Sequence, residues 1–108
     1  MNWKDQKNQK LVEAILSLET FEETRAFLRD LLTESEITEF AKRFQAAEML
    51  SRKIPYSTIE DETGLSSTTV ARVAKWLNNG MSGYKSILNK MNHHHLSSEV
   101  KKGLFSSS

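Results

Sequence analysis

The chain has 108 residues, 38% of them hydrophobic and 27% charged, with Lys+Arg 15 against Asp+Glu 14 and no cysteine. It is shorter than the roughly 150 residues usual for one domain, and its composition is that of a globular protein rather than a disordered one. Without cysteine, a disulfide framework, a thiolate nucleophile and a Cys-based zinc site are excluded. No apolar run approaches the ~18 residues of a membrane span, and Met1–Lys7 lacks the apolar stretch of a secretory signal. These features predict a soluble, cytoplasmic domain with no membrane partner.

One proline, four glycines and no sustained alternation of apolar and polar residues predict an all-α chain of about six short helices. Leu11, Val12, Ile15, Leu16 and Leu18 form an apolar stripe from about Gln9 to Glu19. Thr20-Phe21-Glu22-Glu23 then fits a capping box, in which the threonine hydroxyl and the glutamate three residues on satisfy orphan amides reciprocally. Phe21, Phe27, Leu28, Leu31 and Leu32 supply the next apolar set.

A second capping box, Thr33-Glu34-Ser35-Glu36, opens the longest helix. Its inner stripe is read as Ile37, Phe40, Ala41, Phe44, Ala47 and Leu50, and its end is expected near Lys53, before Ile54-Pro55. Two short helices follow, about 56–63 and 66–78, and Asn79-Gly80 stops the second. A last helix near 84–91 presents Tyr84, Ile87, Leu88 and Met91 inward. The domain is thus placed at 1–92, with 93–108 a polar, flexible tail. Phe21, Phe27, Phe40 and Phe44 exceed what one thin core can bury, and a symmetric homodimer would absorb them.

The charge is distributed unevenly. Residues 1–50 carry seven basic and ten acidic side chains, residues 51–108 eight and four, and no acidic residue lies between Thr63 and Ser98. A locally basic segment in a near-neutral chain fits contact with a phosphate backbone, and it also fits a solvated helical face.

The segment Ile59 to Val73 decides between them. Ile59 anchors the first short helix, Gly64 stands where the turn needs a positive φ, and Leu65 plugs the corner. Ser66 caps the second helix, whose Val70 and Val73 face back onto Ile59 and Leu65. Ser67, Thr68, Thr69 and Ala71 are left outward, with Arg72 and Lys75 further along. Short hydroxyl and methyl side chains let a helix approach base edges in the major groove, and the basic neighbours favour phosphates. This is the pattern of a DNA-binding helix-turn-helix; a glycine-turned αα-hairpin with a serine cap is the plainer reading. Glu60-Asp61-Glu62 would repel phosphates, so the first helix is expected to contribute little to them.

At these residues the chain resembles the Trp repressor superfamily, and most closely its YerC/YecD (TrpR-related) branch. The resemblance runs from about Leu31 to Met91. It is carried by Leu32–Glu36, Ala41–Phe44, Tyr56–Gly64, Leu65–Val73 and, for that branch in particular, Leu77–Tyr84. It implies an intertwined all-α homodimer presenting two helix-turn-helix heads to a palindromic operator, with half-sites ~34 Å apart. It further implies an effector pocket. Thr33, Arg43 and Arg72 match the threonine and two arginines that contact tryptophan in the repressors that sense it. Val73 and Trp76 replace a glycine and a serine there, placing bulk where the indole and ammonium would sit. On this reading Trp76 fills part of the pocket and no cofactor is required, L-tryptophan or a related small effector being the alternative. Trp76 as an ordinary core residue is a further reading.

His93-His94-His95 cannot all reach one ion from a helix, and no carboxylate or cysteine is spaced to complete a metal site. No nucleophile elbow, phosphate loop or zinc-protease spacing is present, so no enzyme activity is expected. The sequence predicts a homodimeric, DNA-binding transcriptional regulator, a repressor, contacting an operator through Ser66, Ser67, Thr68, Thr69, Ala71, Arg72 and Lys75. The alternative is a helical dimerisation or adaptor module whose helix-turn-helix contacts protein.

Overall fold

The structure, a computed structural model, describes residues 1–93; of the tail predicted at 93–108 only His93, which is helical, is among them, and the rest lies outside, including two of the three adjacent histidines. Five helices run α1 Gln6–Leu16, α2 Phe21–Leu31, α3 Glu34–Ser51, α4 Tyr56–Thr63 and α5 Ser67–Asn79. A sixth, α6, covers 83–93. No strand occurs among the described residues. The chain divides into two compact units, Met1–Thr38 and Glu39 onward, the boundary falling inside α3.

In the first unit the helix ends follow the caps. Asp5 accepts from the Lys7 amide at 2.8 Å, which starts α1 three residues earlier than the apolar stripe predicts. Thr20 accepts from the Glu23 amide at 3.1 Å. The Glu23 carboxylate reaches past the cap to the Glu19 amide, at 3.0 Å. The second box is fully reciprocal: Thr33 Oγ1 accepts from the Glu36 amide at 3.1 Å, and Glu36 Oε1 from the Thr33 amide at 2.9 Å. Hydrogen bonding from Thr33, its backbone amide first and its side chain second, holds the Glu36 carboxyl below its ordinary range. Neither α1 nor α2 contains a buried residue. The apolar stripes of Leu11–Leu16 and Phe21–Leu31 exist, and none of their residues is buried.

The second unit holds the core. Ala46, Ala47 and Met49 of α3, Ile59 of α4, Leu65 of the turn, Val70, Val73 and Leu77 of α5 and Leu88 of α6 form one buried cluster. Phe44, Leu50, Ile54 and Tyr84 pack against its edge. The inner face of α3 therefore differs from the predicted one: Ala46 and Met49 are buried, while Ala41 is exposed and Phe40 is 45% exposed. The small Ala46 and Ala47 side chains share the buried cluster with Ile59, Val70 and Val73, a place with no room for phenylalanine in a close-packed interior. Of the face read for the last helix, Leu88 is buried, but Ile87 and Met91 are exposed.

α3 stops two residues before Lys53. The Ile54 amide donates to Met49 O at 3.1 Å and the Lys53 amide to Leu50 O at 3.0 Å. This paired closure requires a left-handed residue, and Lys53 supplies it at φ 65.

Candidate nucleic-acid interface

α4 and α5 pack on each other around Ile59, Leu65, Val70 and Val73. Gly64 between them has φ 76, a conformation that costs a residue with Cβ roughly 1–2 kcal/mol. Its amide donates to Glu60 O at 2.9 Å and closes α4. Thr63, which the sequence reading did not single out, locks the corner. Its buried hydroxyl donates to Ile59 O at 2.7 Å and accepts from the Leu65 amide at 3.2 Å. A threonine one residue before the turn glycine was the available signal.

Ser66 caps α5, its Oγ accepting from the Thr69 amide at 3.2 Å and donating to Thr69 Oγ1 at 3.0 Å. Ser67, Thr68, Ala71, Arg72 and Lys75 are exposed and Thr69 is half-buried. The buried residues Val70, Val73, Ala74 and Leu77 lie on the opposite face, which fixes this division by helical periodicity. All seven residues expected to contact DNA therefore lie on or beside the open side of one helix. Its first turn leaves amides pointing outward, a favourable field for phosphate. On α4, Asp61 and Glu62 are exposed and Glu60 is half-buried.

The four residues matched to an effector pocket have different local surroundings. Thr33 belongs to the first unit, where its hydroxyl and amide serve the α3 cap. Arg43 pairs with Glu39 at 3.5 Å, lies over the Phe40 ring at 5.3 Å, and lines a depression with Phe40, Phe44 and Tyr84. Arg72 and Trp76 line a different, shallow depression with Thr68, Ala71 and Lys75. Trp76 is 52% exposed, so it is not a core residue of the chain. No cluster of His, Asp or Glu able to hold a metal ion occurs among the described residues, and no described helix is long and apolar enough to cross a membrane.

Comparison with known proteins points one way. The family described as Trp repressor protein matches residues 6–92. The uncharacterised protein YerC of Bacillus subtilis (strain 168) is 40% identical over 82 residues, covering 76% of this chain and 79% of YerC. The crystal structure of a TrpR-like protein from Eubacterium eligens ATCC 27750 superimposes with a TM-score of 0.79 at 36% identity, over 83% of this chain and 93% of that one. A second solved structure, from Staphylococcus aureus, gives a TM-score of 0.78 at 38% identity, over 85% of this chain and 95% of that one.

Proposed function

The chain belongs to the Trp repressor family, and from that premise we propose that it is a cytoplasmic transcriptional regulator that binds operator DNA as a homodimer and represses. Ser66, Ser67, Thr68, Thr69, Ala71, Arg72 and Lys75 form the contact surface. The observation that carries the reading is the exposed side of α5, where hydroxyl, methyl and basic side chains stand together over a fully buried opposite face. The segment from Gly64 to Ser98 contains no acidic residue to oppose a phosphate backbone.

The homodimer is supported by the first unit. Leu16 is 78% and Phe21 75% exposed, and Trp3, Ile15 and Leu31 are each about half exposed. Apolar surface on this scale is costly in water and is removed by a second copy of the same chain. Residues 1–92 are then one domain completed by its partner, with no cofactor and no metal, and the protein is not an enzyme.

Gel retardation of genomic fragments, titrated with salt, tests the proposal. A phosphate-contacting dimer loses affinity steeply as salt rises, because counterions compete for the backbone. An adaptor that contacts protein shows no retardation even at low salt. Within the DNA-binding reading, Thr68→Ala relaxes base preference with the fold intact, whereas Arg72→Ala weakens every duplex alike. Wild-type binding by both variants would reject the assignment of α5 as the recognition helix.

A further inference from the structure

Trp76 is the one large apolar side chain on the open side of α5, half exposed in a depression whose other walls are Thr68, Ala71, Arg72 and Lys75. The Lys75 ammonium lies 6.0 Å from its ring centre. An indole offers a flat apolar face and a single N–H donor, and beside two cations it suits a surface that is alternately sugar and phosphate.

The position along the helix says which part of a duplex it meets. Ten residues separate the Ser66 cap from Trp76, about 15 Å at the α-helical rise, whereas the major groove is only ~8.5 Å deep. An α5 that enters the groove end-on, its start at the floor, carries Trp76 clear of the base edges to the level of the backbone. Resting on the DNA-binding reading above, we infer that Trp76 is a sequence-independent backbone clamp. Its ring covers a deoxyribose, and its Nε1–H donates to a phosphate oxygen flanked by Arg72 and Lys75. The charge around it selects this occupant: cations on the same face and no carboxylate in the whole segment.

The test uses the full chain. In Trp3→Phe protein Trp76 is the sole tryptophan, and its emission is followed during titration with a duplex of about 30 base pairs selected by the protein, long enough for two half-sites. A scrambled duplex serves as the comparison. Trp76 emission changes on saturation with either duplex. Trp76→Ala weakens both by the same factor, roughly ten- to hundredfold, the size of one hydrogen bond to a charged group. Trp76→Phe, which keeps a ring and loses the donor, falls between. The inference is overturned if duplex binds while Trp76 emission stays constant, or if Trp76→Ala binds as wild type. A variant that shifts sequence preference, or a changed oligomeric mass showing that a second copy covers the ring, overturns it equally. If the folded wild-type protein retains neither duplex at low salt, the DNA-binding reading fails first and takes this one with it.

Discussion

Thr63 shows how much a single hydroxyl fixes. It is the buried polar residue among those described, and its two hydrogen bonds tie the last turn of α4 to the first residue after Gly64. Thr63→Val preserves the shape and leaves the Leu65 amide without its partner, so urea denaturation should show a loss of about 1–2 kcal/mol. Lys53 gives the opposite sign. It holds a left-handed conformation at φ 65 that glycine adopts freely, so Lys53→Gly should raise stability by about 0.5–1 kcal/mol, the relieved strain exceeding the added chain entropy. The sequence located the glycine at Gly64 because positive φ is written in that residue type. Lys53 carries no such mark, and only the hydrogen bonds of Ile54 and Lys53 reveal it.

Among the elements, caps were more legible than faces. Both Thr-x-x-Glu boxes start helices where the sequence places them, because the interaction is complete within four residues. The box at Thr33 gives a pH dependence. The Glu36 carboxyl is held below its ordinary value of 4.5 by the Thr33 donors, so its contribution is present above that value and is lost as acid protonates it. Glu36→Gln keeps an acceptor that does not titrate. Thermal unfolding followed downward from neutral pH should therefore show wild type losing its margin over Glu36→Gln below about pH 4.5. A parallel decline of both proteins would rule this out. The inner face of α3 was partly legible: of the stripe Ile37, Phe40, Ala41, Phe44, Ala47 and Leu50, Ala47 is buried and Phe44 and Leu50 pack on the core, yet Ala46 and Met49, outside the stripe, are buried with them. A long helix with two apolar sides does not say which one its own chain covers. The seven-residue surface of α5 was legible because its buried residues fall on one helical face.

For the molecule as a whole, the balance between buried and open apolar surface is the governing fact. The second unit has a closed core, while the first offers Leu16 and Phe21 to water. Sedimentation of the wild type should give twice the chain mass of 12.4 kDa, and Phe21→Glu, which puts a charge into the contact, should shift it toward the single chain and weaken operator binding together. A wild-type protein that sediments as one chain would refute the homodimer.

Periodicity, capping residues and the glycine turn, all interactions closed within a few positions, determined the helices and the outward side of α5 from the amino-acid order alone. Which side of α3 meets α4 and α5, the staple made by Thr63, and the exposure of Trp76 depend on residues distant in the chain. Those features were decided only when the helices packed, because burial is a property of what lies opposite rather than of the residue itself.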